Sequence, residues 1–127
     1  MRRVLIVDDN ALMRKHLAMF LHDSFQLEIC GQAQDGVEAV ELYQQLKPDL
    51  VTLDVTMPRK GGLEALQDII KIDPKAKVLM VSAITDDNFI KQALQLGAKG
   101  YIVKPFKTKD QEFIQRVATD LREVLGL

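Results

Sequence analysis

Four kinds of polar group stand at the ends of short apolar runs in this chain. A carboxylate pair, Asp8-Asp9, follows Val4-Leu5-Ile6-Val7, and a lone carboxylate, Asp54, follows Leu50-Val51-Thr52-Leu53. A hydroxyl, Ser82, with Ala83 after it, ends Val78-Leu79-Met80-Val81, and an ammonium, Lys104, ends Gly100-Tyr101-Ile102-Val103. Three carboxylates in one cleft repel one another, so the cluster is costly unless a cation or a shared proton neutralises it. Carboxylate, carbonyl and water oxygens suit Mg²⁺ or Mn²⁺, and no Cys or His accompanies the set to favour zinc. The ammonium and the hydroxyl are groups that grip phosphoryl oxygens by charge and hydrogen bond. A carboxylate such as Asp54 can act as a nucleophile and form an acyl phosphate, a reaction that asks the protein mainly for positioning and charge neutralisation. Each residue also has an ordinary use: Asp8-Asp9 and Asp54 as turn or cap residues, Ser82 as a helix cap, Lys104 as a solvated turn lysine. Their coincidence at one sheet edge favours the functional reading.

The elements that must place these groups are legible as five strand–helix units. The continuous apolar runs are those of parallel strands covered on both faces. After the first, Asn10 is a plausible N-cap for a helix over about Ala11 to Asp23, with Leu12, Leu17, Phe20 and Leu21 on its apolar face and Met13 beside them. The second strand is expected over Leu27 to Ala33, and Asp35-Gly36 turns the chain into a helix carrying Val37, Val40, Leu42 and Leu46. Lys47-Pro48-Asp49 ends that helix, and the third strand, Leu50 to Leu53, delivers Asp54. The loop Pro58-Arg59-Lys60-Gly61-Gly62 leads to a helix of Leu63, Leu66, Ile69 and Ile70, closed by Asp73-Pro74. A fourth helix uses Phe89, Ile90, Ala93, Leu94 and Leu96, with Gly97 as its C′ residue. The last, from about Thr108, uses Phe113, Ile114, Val117, Leu121, Val124 and Leu125. Alternating strands and helices imply a parallel sheet with right-handed crossovers, hence an α/β fold: a three-layer α/β/α sandwich of five parallel strands in the flavodoxin-like order 2-1-3-4-5. In such sheets ligands bind beyond the carboxyl ends of the strands at the switch point, here between strands 1 and 3.

The 127 residues suit one domain, 1–127, and the 47% hydrophobic and 28% charged content is that of a globular chain. A net charge of -1 gives no footprint for nucleic acid. The single Cys30 has no intrachain partner and reads as a small buried hydrophobe, which fits a reducing cytoplasm. No apolar run approaches bilayer length, and Met1-Arg2-Arg3 opens directly on a strand, so neither export nor a membrane anchor is expected.

Val4-Leu5-Ile6-Val7-Asp8-Asp9, Asp54-Val55-Thr56-Met57-Pro58, Ser82-Ala83 and Lys104-Pro105-Phe106 stand in the order and rough spacing of response-regulator receiver domains, and the chain resembles that family of two-component signalling over essentially its whole length. Such receivers are themselves a type example of the 2-1-3-4-5 order, so the order is implied by the resemblance as much as by the strand count. The resemblance implies that Asp54 accepts a phosphoryl group from a histidine kinase. It makes Asp9 a direct Mg²⁺ ligand, Asp8 a ligand mostly through water, and Thr56 a ligand through its backbone carbonyl. Ser82, Ala83 and Lys104 would bind the phosphoryl group, with a cis Lys104-Pro105 bond. Ser82 and Tyr101 would form the switch, the Tyr101 ring moving in from a more exposed rotamer. Ile90, Lys91, Gln95, Lys99, Tyr101 and Val103 would make up the surface read by a partner, although Ile90 and Tyr101 also fit ordinary core and strand roles.

Val51-Thr52-Leu53-Asp54-Val55-Thr56-Met57-Pro58 with Ser82-Ala83 looks most like the stand-alone chemotaxis-type receivers, whose targets include a flagellar motor switch or a phosphatase. That reading makes the chain a signalling protein, not an enzyme, beyond promoting its own phosphorylation and dephosphorylation. Ser82 replaces the more usual Thr, and Arg59-Lys60-Gly61 replaces a loop that in many relatives carries Met-Asp before the glycine kept here as Gly62. Arg59 and Lys60 read as a solvated basic loop, and His16 and His22 as surface residues of the first helix. Three alternatives stand beside the switch: a receiver cut from a larger regulator, a flavodoxin-like cofactor protein, and an interaction module that is never phosphorylated. A flavodoxin-like protein would need a glycine-rich phosphate turn where Asp8-Asp9-Asn10 stands.

Overall fold

The computed structural model describes residues 2–126; Met1 and Leu127, the ends of the expected 1–127 unit, lie outside the described residues. Ten elements alternate: β1 (Arg3–Val7), α1 (Ala11–Phe25), β2 (Glu28–Ala33), α2 (Gly36–Leu46), β3 (Leu50–Asp54), α3 (Gly62–Ile72), β4 (Val78–Ser82), α4 (Asp87–Gln95), β5 (Gly100–Val103) and α5 (Gln111–Leu125). All neighbouring strands pair in parallel, in the order β2-β1-β3-β4-β5. The fold class and strand order expected from the sequence are those observed.

Two-residue alternation divides the strand side chains between two cores. Val4 and Ile6 face α1 and α5, joining Leu17, Phe20, Leu21, Phe113, Val117 and Leu121. Leu5 and Val7 face the other way, with Val51, Leu53, Ala65, Leu66, Ile69 and Ala93. Every residue of β3 and β4 is buried, which is why these strands read as unbroken apolar runs. Four of the helices start where short polar side chains accept backbone amides, while α3 follows Gly61 without a side-chain cap. Asn10 takes those of Leu12 and Met13, Asp35 that of Glu38, Asp86 those of Asn88 and Phe89, and Asp110 that of Glu112.

Several expectations need correction. Leu12 is 72% exposed; the buried face of α1 runs through Leu17, Phe20 and Leu21 with half-buried Met13, and Leu12 lies one residue out of phase. In α2 the buried residues are Gly36, Ala39 and Tyr43, while Val37, Val40, Leu42 and Leu46 are only half-buried. In α4 the buried residue is Ala93; Phe89 and Ile90 are half-buried, Leu94 is exposed, and Leu96 is the C-cap. Gly97, at φ +117°, follows as C′. α5 starts at Gln111, three residues later than expected, because Asp110 caps it and the Asp110 amide closes a turn onto the Lys107 carbonyl. β2 begins at Glu28, since the Leu27 amide still bonds back to the Leu21 carbonyl. Cys30 is half-buried, its thiol donating to the Val4 carbonyl at 3.4 Å, and burial raises its pKa. No helix among the described residues is long and apolar enough to cross a membrane.

Candidate functional site

β1 and β3 are neighbours in register, Val7 opposite Leu53, so the residues that follow them emerge side by side at the carboxyl edge. Ligand atoms of Asp8, Asp9 and Asp54 lie within 4.8 Å of one another. Asp8 and Asp54 are 5% and 7% exposed, which sets the cluster apart from an incidental group of surface acids, and Asp9 is exposed at its mouth. β5 brings the counter-charge across the sheet. The Lys104 amide bonds to the Ser82 carbonyl at 2.9 Å, and the Lys104 ammonium lies 2.8 Å from Asp8 Oδ2 and 3.5 Å from Asp54 Oδ2. The Lys104-Pro105 bond is cis.

Each of the two buried carboxylates also accepts one backbone amide. Asp8 Oδ1 accepts the Asn10 amide at 2.9 Å, and Asp54 Oδ1 accepts the Val55 amide at 2.9 Å. Burial, and then the charge of Asp8, push the Asp54 carboxyl up to about 6 against the pull of Lys104. Burial draws Lys104 down, yet the carboxylates of Asp8 and Asp54 outweigh it and leave its pKa raised. One ammonium therefore faces a cluster of three carboxylates and pairs with two of them. An all-oxygen donor set with surplus negative charge fits a hard divalent cation: Asp8, Asp9 and the backbone carbonyl of Thr56, two residues beyond Asp54, are the groups that would hold it.

Ser82 is 3% exposed, and its Oγ accepts the Ile84 amide at 3.1 Å. Ala83 is exposed beside it. Tyr101 is half-buried, packed against the core on the side of α3 and α4, and its hydroxyl donates to the Ile84 carbonyl at 2.9 Å. The ring thus occupies the packed position, not the exposed one. Lys91, Gln95 and Lys99 are exposed, and Ile90 and Val103 half-buried, along α4 and β5. A shallow cleft follows the free edge of β5, lined by Tyr101, Val103, Pro105, Phe113, Arg116 and Asp120 among others.

The basic loop is not simply solvated. Arg59 forms a two-pronged pair with buried Asp35, and Lys60 pairs with Asp68 on α3. Asp35 escaped the sequence reading as more than a turn residue, although Asp35 with Glu38 three residues on is an N-cap pattern. Arg14 was missed altogether: its guanidinium donates to the Asp8 carbonyl at 2.6 Å and to Gln32 at 3.1 Å, tying α1 and β2 to the acidic pair. His16 and His22 are both exposed.

These features define a class: doubly wound parallel α/β proteins with a polar, lysine-paired acidic cleft at the switch point. Residues 4–118 match the family model described as response regulator receiver domain, and the chain belongs to that family. It is 48% identical to Protein CcdB of Bacillus subtilis, over 92% of this chain and 98% of that one. It is 47% identical to the chemotaxis protein CheY of Thermotoga maritima, over 84% of this chain and 88% of that one. Among solved structures, the CheX-CheY-BeF3-Mg²⁺ complex from Borrelia burgdorferi superposes with a TM-score of 0.87 at 36% identity, covering 97% of this chain and 88% of that one.

Proposed function

We propose that the chain is a phosphoacceptor switch in which Asp54 takes a phosphoryl group from a histidine kinase. The observation that carries this is a buried carboxylate with two further carboxylates within 4.8 Å and a half-buried ammonium in reach of both Asp8 and Asp54. A carboxylate oxygen of Asp54 attacks phosphorus, a P–O bond forms as the P–N bond of the donor phosphohistidine breaks, and the electron pair leaves on the imidazole nitrogen. Asp8, Asp9 and the Thr56 carbonyl would hold Mg²⁺ or Mn²⁺, which would supply charge neutralisation for the phosphoryl oxygens. Lys104, Ser82 and the backbone at Ala83 take the rest. That a CheY relative was solved with beryllofluoride, a phosphoryl mimic, and Mg²⁺ supports the reading.

The output follows from population shift: a phosphoryl group that draws on Ser82 biases the Ile84 segment and Tyr101, and so the α4–β5–α5 face. Ile90, Lys91, Gln95, Lys99, Tyr101 and Val103 form the surface a downstream protein reads. The similarity to chemotaxis proteins favours a cytoplasmic, chemotaxis-type receiver without further enzymatic activity. Its target would be a motor switch or a phosphatase, and the CheX-CheY complex supports a protein partner of this kind. Intact mass after incubation with acetyl phosphate tests the core claim. One Mg²⁺-dependent phosphoryl adduct on the wild type, absent from Asp54→Asn, is expected; no adduct, together with no binding of beryllofluoride, would leave an interaction module instead.

A further inference from the structure

The loop between β3 and α3 carries Thr56, and the structure pins that loop from outside the cleft. Asp35, 4% exposed at the start of α2, accepts Arg59 Nε on Oδ2 at 2.8 Å and Nη2 on Oδ1 at 3.1 Å, while Oδ1 also caps the Glu38 amide at 2.9 Å. A guanidinium fork on a carboxylate is the strong, directional form of an ion pair. One residue further along each strand of the contact, the Gly36 amide donates to the Lys60 carbonyl at 2.9 Å, so close that a Cβ on residue 36 would lie 2.4 Å from that oxygen. Arg59 itself sits at φ +64°, a left-handed conformation that a non-glycine residue holds only when its surroundings over-determine it. At the loop base the Gly62 amide bonds to the Val55 carbonyl at 2.8 Å. The segment with Thr56 at its head is therefore fixed at its base and at its outer flank, where the fork joins residues 24 apart beside the Gly36–Lys60 bond and the Lys60–Asp68 pair.

We propose that Asp35 and Arg59 are positioning residues for the divalent cation, their fork holding the β3–α3 loop so that the Thr56 carbonyl is already presented beside Asp8 and Asp9. This rests on the phosphoacceptor reading above, in which that carbonyl is a metal ligand. Neither residue touches the reacting atoms. Mg²⁺ demands near-ideal octahedral geometry, so a ligand on an unpinned loop must be ordered when the ion binds, at a cost to affinity.

The test is a titration of metal-free protein with Mg²⁺ alone, followed by the amide resonances of residues 54–62, on the wild type, Asp35→Asn, Arg59→Gln and the double variant. Asn caps a helix as well as Asp does, so Asp35→Asn removes the charge and keeps α2 capped. Each single variant is expected to bind Mg²⁺ roughly 3- to 10-fold more weakly, and the double variant no more weakly than either, as for two halves of one interaction. At saturating Mg²⁺ the acetyl phosphate adduct forms as in the wild type. The sign for Arg59→Gln is decisive: through-space electrostatics alone would tighten Mg²⁺ when a positive charge is lost, whereas positioning weakens it. Unchanged or tighter binding by Arg59→Gln, with the wild type binding normally, overturns the proposal. A wild type that binds no Mg²⁺ overturns the phosphoacceptor reading as well, so the two failures are told apart.

Discussion

Ser82 and Tyr101 hold the two ends of one residue. Ser82 Oγ accepts the Ile84 amide at 3.1 Å, and the Tyr101 hydroxyl donates to the Ile84 carbonyl at 2.9 Å. A displacement of either hydroxyl is therefore felt by the backbone entering α4 without any contact between the two side chains. Tyr101→Phe is expected to cost about 0.5–1.5 kcal/mol, the net value of one such bond, and to speed amide exchange around Ile84. Combined with Ser82→Ala, the losses should be non-additive in urea titrations.

Stability should fall with rising pH through the range where Asp54 ionises. Its folded-state pKa, pushed up to about 6 first by burial, lies above the ordinary 3.8, so the stability this group contributes is complete below the ordinary value and lost as pH rises through the folded one. In EDTA, Asp54→Asn should match the wild type near pH 4 and exceed it by about 1–3 kcal/mol above pH 7. Adding Mg²⁺ should narrow the gap, because the variant offers the cation one carboxylate fewer and is stabilised less than the wild type.

Lys104 stands where a cation would also bind, on Asp8 Oδ2. Without metal, Lys104→Met should lose about 2–4 kcal/mol, because it strands buried carboxylates. The same variant should bind Mg²⁺ several-fold more tightly, since no ammonium competes for the site; calorimetric titration reads both the sign and the size.

At Gly62 an added Cβ would meet the Asp54 carbonyl oxygen, a backbone atom, at 2.1 Å. Gly62→Ala is expected to destabilise by roughly 2–4 kcal/mol and to disturb Asp54, judged by urea midpoint and by adduct yield. Gly61→Ala is the control: its Cβ would meet the Val55 carbonyl at 3.4 Å, a tolerable contact.

Thr52, 1% exposed in β3, buries an Oγ1 that has no hydrogen-bond partner among the described residues. Replacing it by the isosteric Val removes that unpaired group, and the variant should be as stable as the wild type or about 1 kcal/mol more stable.

β1, β3 and β4 were legible because they are covered on both faces, which turns each into a largely apolar run ending at a polar residue, whereas β2 is mostly half-buried or exposed and gave a weaker pattern. The placement of Asp8, Asp54, Ser82 and Lys104 at one edge followed from strand order alone. Helix faces were less legible where apolar residues outnumber buried positions: nine-residue α4 buries Ala93 and leaves Leu94 44% exposed, and side-chain periodicity cannot say which of two adjacent apolar residues faces inward. The Asp35–Arg59 and Lys60–Asp68 pairs were invisible for another reason. Charge pairing between separate elements depends on how close two loops come, and the close approach is set by Gly36 and Gly62, whose role appears only once the backbones are in place.

The ion pair between Asp8 and Lys104 joins residues 96 positions apart. During synthesis the acidic pair and Asp54 are made long before their counter-charge, so a chain that stops short of β5 presents a carboxylate cluster with nothing to balance it. The charge-paired cleft is thus a property of the finished sheet, since the ammonium that faces Asp8 and Asp54 arrives only after β5.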